Sequence, residues 1–185
     1  MSKVIDPEML GDMRRFGDLD VSACFSCGTC TAICPLADND ATFPRRIIRL
    51  AQVGLKDELL SSKELWTCYH CGLCSDSCPT EADPGEFMAT ARRYAIASYD
   101  RTRLARTMYT RPAIGTSIAV AVAVFFAAFM YAARGPRSTD TLALFEFIPE
   151  PLIHWTGIVV MTLMVVAGVV GVLTMATRIG RHEGV

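Results

Sequence analysis

The residues best suited to chemistry in this sequence are eight cysteines, and their spacing repeats. Cys24, Cys27, Cys30 and Cys34 are followed by Pro35. Cys68, Cys71, Cys74 and Cys78 follow 44 positions later and precede Pro79. Gly28 maps onto Gly72 and the aromatic Phe25 onto Tyr69, so both copies read C-x-x-C-G-x-C-x-x-x-C-P. Three thiolates at steps of three can wrap one corner of an iron–sulfur cube from a single tight loop. The fourth, just before proline, ligates the other cube in two-cluster ferredoxins. Two [4Fe–4S] clusters are therefore expected. Cluster A takes Cys24, Cys27, Cys30 and Cys78, and cluster B takes Cys68, Cys71, Cys74 and Cys34. Gly28 and Gly72 let backbone amides approach the sulfides.

Zinc and disulfides fit less well. Structural zinc usually draws on two separated pairs of ligands, not four cysteines in a short run twice over. A disulfide framework implies an oxidising compartment. Met1 to Asp20 is polar and lacks an apolar stretch long enough for a signal-peptide core. Arg14-Arg15 is followed by Phe16-Gly17-Asp18-Leu19-Asp20, which is no export signal. A reducing cytoplasm is the expected setting. His70, inside the second run, either hydrogen-bonds a cluster sulfur or faces solvent. Trp66 and Tyr69 flank Cys68 and are expected to shield its cluster.

Helices must position these loops. Pro7–Phe16 reads as a helix. Thr42 offers a cap, Pro44 a first turn, and Phe43, Ile47, Ile48 and Ala51 an apolar spacing of helical period, stopped at Gly54. Leu55–Leu60 is a further short helix. Asp83-Pro84-Gly85-Glu86 supplies an N-cap, a first-turn proline and a capping-box glutamate. Phe87, Met88, Ala91, Tyr94 and Ala95 then mark one apolar face, which fades at Ser98. Strand signals are poor. The fold class is all-α: a helical two-cluster ferredoxin domain over 1–98, a basic juxtamembrane helix over 99–111, and a two-helix transmembrane hairpin over 112–185.

On these residues, 18–98 resembles the helical ferredoxin domain found in the C subunit of heterodisulfide reductases. It is more similar still to the N-terminal part of the membrane-bound C subunit of the quinone-interacting oxidoreductase family. The resemblance is carried by both cysteine runs, by Phe43-Pro44-Arg45-Arg46-Ile47-Ile48, and by Leu59-Leu60-Ser61-Ser62 leading into Leu65-Trp66-Thr67-Cys68. It implies a protein that passes electrons between a soluble catalytic partner and either a thiol–disulfide site or membrane quinone. The C-C-G cysteine pairs of the catalytic B subunit are missing, so disulfide reduction is not encoded here.

Composition divides the chain. Of all residues 51% are apolar and 20% charged, and the formal net charge is −1. Residues 1–91 hold 8 Lys/Arg against 14 Asp/Glu, and residues 92–111 hold 6 Arg against 1 Asp. No nucleic-acid partner is expected. Residues 113–133 and 152–176 are long enough to span a bilayer core, at 1.5 Å rise per residue. Arg101, Arg103, Arg106 and Arg111 precede the first span and Arg178 and Arg181 follow the second. The connecting segment holds Arg134 and Arg137 with Asp140, Glu146 and Glu150. Basic residues stay inside, so both termini are expected in the cytoplasm of an inner-membrane protein. Arg92 to Arg111 is expected to continue as one helix towards anionic lipid headgroups, or to meet an acidic partner. Gly115, Ala119, Ala123 and Ala127, with Gly157, Gly168 and Gly171, suit close helix packing, within the hairpin or against another membrane subunit.

His154 is the histidine in or near a span. A shared haem b, a quinone contact and an interfacial position beside Trp155 all remain open for it. His182 lies 28 residues further on, roughly 40 Å along a helix, so these two cannot share one iron.

The expected function is membrane-anchored electron transfer between a cytoplasmic flavin or Fe–S oxidoreductase subunit and quinone, with another membrane subunit and lipid as partners. The alternative is a tethered protein of the heterodisulfide reductase type without quinone contact. A redox sensor is a third reading, but no output domain is visible. No nucleophile, acid–base pair, phosphate loop or nucleotide fingerprint is present, so no catalytic site is expected on this chain alone.

Overall fold

The computed structural model describes residues 4–18, 21–37, 42–133 and 149–183. Among them all regular structure is helical. The chain divides into two compact units, residues 1–110 with 174–185, and residues 111–173.

The first unit is built from short helices because the cysteine loops interrupt the chain repeatedly. α1 (Met9–Met13) runs into a 3-10 turn, Arg14–Phe16, and a second such turn covers Val21–Ala23. α2 (Thr29–Ile33) follows the first loop. α3 (Arg45–Val53), α4 (Lys56–Ser61) and α5 (Glu64–Thr67) connect the two cysteine runs. α6 (Leu73–Asp76) follows the second loop. α7 (Pro84–Tyr99) is the long element, and α8 (Leu104–Thr110) folds back against it.

α3 starts and stops for different reasons. Its entry is made by backbone alone: Arg46 N–H donates to the Thr42 carbonyl at 2.7 Å, and no side chain caps it. Thr42 therefore acts through its carbonyl and not its hydroxyl. Its exit is Gly54 in the left-handed region, φ 80°, whose N–H reaches the Ala51 carbonyl at 3.1 Å. A residue free of Cβ is favoured there.

α7 carries the core. Phe87, Met88, Ala91, Tyr94 and Ala95 are fully buried and pack with Met9, Met13, Ile47, Ile48, Leu59 and Leu65. The Phe16 ring stands edge-on to Tyr94 at 5.5 Å between centroids. The burial continues past Ser98 to Tyr99, whose hydroxyl donates to the Leu60 carbonyl. The cap of α7 is half a capping box: Asp83 accepts from the Glu86 N–H at 3.1 Å. The Glu86 carboxylate takes Arg93 instead, at 2.9 Å.

The basic segment is not one helix. After Tyr99 the Asp100 carboxylate accepts from the Thr102 N–H and hydroxyl and from the Ala105 N–H, at 2.6–2.8 Å. Short acidic side chains compete with helix propagation in this way. Arg111 leaves the helical region before Pro112, as a residue preceding proline tends to. Three arginines of the segment serve the first unit itself. Arg92 holds the Leu65 and Cys68 carbonyls. Arg93 holds Glu86 and the Phe16 carbonyl. Arg106 pairs with Asp12 at 2.6 Å. Arg101, Arg103 and Arg111 are exposed.

α9 (Pro112–Ala132) and α10 (Glu150–Glu183) are long and apolar enough to cross a membrane. α10 is longer than the expected span at both ends, and its last residues, from Thr174, belong to the first unit. There Met175 packs on the core and the Arg178 guanidinium lies over the Tyr99 ring at 5.6 Å. In the second unit Ala119, Ala123 and Ala127 are exposed. A Cβ on Gly157, Gly168 or Gly171 would meet nothing within 4 Å. Gly115, the first residue of the face expected on α9, is buried, whereas the other small residues of the two faces are exposed. Arg134, Arg137, Asp140 and Glu146 lie outside the described residues.

Candidate metal centre

The two cysteine loops have the same backbone. Ser26 and His70 occupy equivalent positions and both have positive φ, 65° and 58°; Gly28 and Gly72 follow at 93° and 86°. Each glycine opens directly into a short helix, α2 or α6, and these two helices pack on one another. A turn that alternates into the left-handed region turns successive N–H groups inward, the backbone concavity found at many anion and Fe–S sites. In the second loop the His70 N–H donates to Cys68 Sγ at 3.4 Å. Ser26 carries no sequence signal for its left-handed backbone, whereas His70 is of a type enriched there.

Two cavities lie at these loops. One is lined by Cys24, Cys27, Cys30 and Cys78, with Arg45 and Thr80 among their neighbours. The other is lined by Cys34, Cys68, Cys71 and Cys74, with Phe43, Tyr69 and Met88. All eight cysteines are free thiols. The four cysteines of each set line one cavity, and four thiolate donors per site are the donor set of a [4Fe–4S] cluster.

As free thiols, four of them depart from the ordinary cysteine value. Burial pushes Cys74 up to about 11, and the neighbouring Cys68 adds to the shift. Burial likewise raises Cys30. The Thr29 hydroxyl, 3.4 Å from Cys27 Sγ, lowers Cys27. For Cys78 burial pulls upward, but hydrogen bonds from the Thr80 hydroxyl, at 3.5 Å, and from nearby backbone outweigh it, and the thiol falls below its ordinary value. Ligation requires thiolates, so iron binding displaces protons from Cys30 and Cys74 at neutral pH.

Of the neighbours expected to matter, Tyr69 lines the second cavity although it is largely exposed. Trp66 does not line it. Its ring packs on Tyr99 at 6.2 Å. His154 is exposed on α10, and His182 lies on the same helix. Sequence reasoning missed Arg45 and Arg92. Both stand in arginine-rich stretches where nothing singles out one guanidinium from the next.

The 4Fe-4S dicluster domain family matches residues 20–109, which include both cysteine runs and α2 to α7. This part of the chain is thus similar to 4Fe-4S dicluster domains, and its eight cysteines fit two [4Fe–4S] clusters. Among curated proteins it is 44% identical over 62 residues to the C subunit of the H(2):CoB-CoM heterodisulfide,ferredoxin reductase of Methanothermobacter thermautotrophicus, covering 34% of each chain. It is 48% identical over 48 residues to the C-type iron-sulfur subunit of the CoB--CoM heterodisulfide reductase of Methanopyrus kandleri, covering 26% of this chain and 25% of that one. The chain thus spans about a third of the length of the curated relatives it matches, or less.

Proposed function

We propose that this chain is the membrane-anchored electron carrier of an oxidoreductase complex, relaying electrons between a cytoplasmic flavin or Fe–S partner and the quinone pool. The single observation that carries the reading is the joining, in one chain, of a dicluster domain to two helices long and apolar enough to span a bilayer. Cys24, Cys27, Cys30 and Cys78 hold one cluster; Cys34, Cys68, Cys71 and Cys74 hold the other. The grouping is supported by the lining of the two cavities. When bound, the clusters supply one-electron storage. The protein's part is to keep them adjacent, through the packing of α2 on α6, and partly shielded from water.

The membrane orientation has both termini in the cytoplasm. Its support is the exposed Arg101, Arg103 and Arg111 before α9, together with the last residues of α10 belonging to the same compact unit as the dicluster domain. A groove beside the first cavity is lined by Arg45, Arg46 and Arg49 of α3. It suits a partner with an acidic surface. The exposed small residues of α9 and α10, from Ala119 to Ala127 and from Gly157 to Gly171, suit lipid or a further membrane protein, which also completes any quinone pocket. His154 is a contact for haem or quinone only in the company of that protein.

A second reading is favoured by the relatives, whose names place them in heterodisulfide reductases. In it the helices are a tether, and electrons pass to a soluble catalytic partner. The two are separated on the complex purified in mild detergent, by turnover with a quinone analogue before and after deletion of residues 112–185. Under the quinone reading the intact complex reduces or oxidises the analogue and the Cys34→Ser complex loses at least about tenfold in rate; loss after truncation alone is not counted, because the deletion also takes Met175 and Arg178 from the first unit. Unchanged turnover with a soluble acceptor after truncation, and none with quinone before it, establishes the tether instead.

A further inference from the structure

The two loops repeat in backbone but not in charge. Arg45, at the start of α3, lines the cavity of Cys24, Cys27, Cys30 and Cys78. Its Nη1 lies 3.0 Å from where a Cβ on Gly28 would stand. The guanidinium therefore rests on the loop between Cys27 and Cys30. At the equivalent position of the second loop, the side-chain atom facing Gly72 is a carboxylate oxygen, Asp76 Oδ2, at 4.0 Å. The surroundings differ in the same sense. Threonine hydroxyls touch Cys27 and Cys78. The cavity of Cys34, Cys68, Cys71 and Cys74 is lined by Pro35, Leu36, Phe43, Pro44, Tyr69 and Met88, with His70; among the described residues no lysine or arginine lines it, and Arg92 reaches this site only through the Cys68 carbonyl.

Reduction of either site adds one electron, supplied by a reduced flavin or Fe–S partner, and hence one unit of negative charge. A cation beside the site favours the added charge, and a carboxylate opposes it. Hydrogen bonds to the ligand sulfurs, net charge and exposure are the levers that set cluster potentials. Exposure separates these two sites little: each has one exposed cysteine, Cys27 and Cys71, and they differ only in that Cys30 is buried where Cys74 is half-buried. Charge separates them.

We propose that Arg45 and Asp76 make the two clusters inequivalent, with Arg45 raising the potential at Cys24, Cys27, Cys30 and Cys78 so that an electron entering the domain comes to rest there. Arg45 is a positioning residue for the electron and ligates nothing. The inference rests on the grouping of cysteines given above. It also sets the order of the relay: the second cluster is the low-potential station, and the first is the one beside the arginine groove.

The test is anaerobic potentiometric titration of the full-length chain in detergent, followed by electron paramagnetic resonance. Wild type is expected to show two separate one-electron waves, with Cys78→Ser abolishing or displacing the more positive. Arg45→Ala lowers that wave by about tenfold in its reduction constant, or ~59 mV for one electron, and leaves the other in place. Arg45→Lys, which keeps the charge, shifts it less. Asp76→Asn raises the more negative wave and serves as the second variant if Arg45→Ala fails to assemble. Fully loaded wild type with coincident waves would overturn the proposal. So would an Arg45→Ala protein of normal iron content whose waves are unmoved, or in which the negative wave moves. Wild type holding about four irons or fewer would instead sink the two-cluster assignment on which the proposal stands.

Discussion

The guanidinium of Arg92 donates to the carbonyl of Cys68, the first ligand of the second cysteine run. Its Nε donates to the Leu65 carbonyl at 2.8 Å, so one side chain of α7 clamps both ends of the turn that leads into that loop. The clamp is charge-assisted and half-buried, which makes each bond stronger than a neutral one. Arg92→Ala is expected to cost about 1–3 kcal/mol in stability by stranding these carbonyls. It should also lower iron occupancy at Cys34, Cys68, Cys71 and Cys74 selectively. Thermal unfolding and iron analysis of anaerobic protein check both. Full occupancy with unchanged unfolding would show that the loop holds itself.

Which run supplies the fourth ligand is decided by pairing substitutions. With ligation crossed between the runs, Cys34 and Cys71 serve the same cluster. Cys34→Ser then lowers iron from about eight to about four per chain, and adding Cys71→Ser removes no more. With each run serving its own cluster, the double variant loses nearly all iron. Cys78→Ser with Cys27→Ser repeats the test on the other site.

Much of the first unit is legible in sequence because its signals are local. The Asp83-Pro84 start of α7, the Gly54 stop of α3 and the buried stripe from Phe87 to Ala95 each follow from residues within a turn or two. The doubled cysteine run and the matched glycines are equally plain. Arginine assignments are not. Arg92, Arg93 and Arg106 read as a lipid-facing basic segment, yet they bind Cys68, Glu86 and Asp12, partners up to 94 positions away in sequence. Periodicity and charge density say nothing about such partners. The break at Asp100 is hidden for a related reason: whether Asp caps a new helix or rides an old one depends on where its backbone neighbours turn.

Gly54 couples the N-terminal segment to α3. Its carbonyl accepts from the Asp6 N–H at 2.8 Å, and a Cβ built on it would collide with the backbone of Asp6. Gly54 also has φ 80°. Gly54→Ala meets both obstacles, and backbone cannot swing aside as a side chain would. A loss of about 2 kcal/mol or more is expected from the left-handed penalty and the displaced α1 together, with the stretch around Met9 losing amide-exchange protection first. Gly11→Ala is the control: a Cβ there meets nothing within 4 Å, and in the middle of α1 it should be neutral or stabilise by up to about 1 kcal/mol.

Asp83 gives a pH signature to α7. The Ser75 hydroxyl and the Glu86 N–H both donate to its carboxylate and hold it below the usual carboxylate range, against the opposing effect of burial. A depressed folded value means that the ionised form is bound more tightly in the fold than in the unfolded chain. The stability it contributes is fully present above the unfolded value of about 3.9 and is lost as pH falls through the lower folded value. Asp83→Ala should therefore unfold more easily than wild type by about 1 kcal/mol at pH 7, the usual worth of an N-cap. The gap should stay level down to about pH 4.5 and close only below that. Thermal unfolding of both proteins across this range is the measurement. A gap that closes between about pH 7 and 5 would mean that another group, not Asp83, governs the start of α7. Because Gly85 N–H also donates to Ser75 at 2.9 Å, Ser75→Ala should reproduce part of the loss without removing the charge.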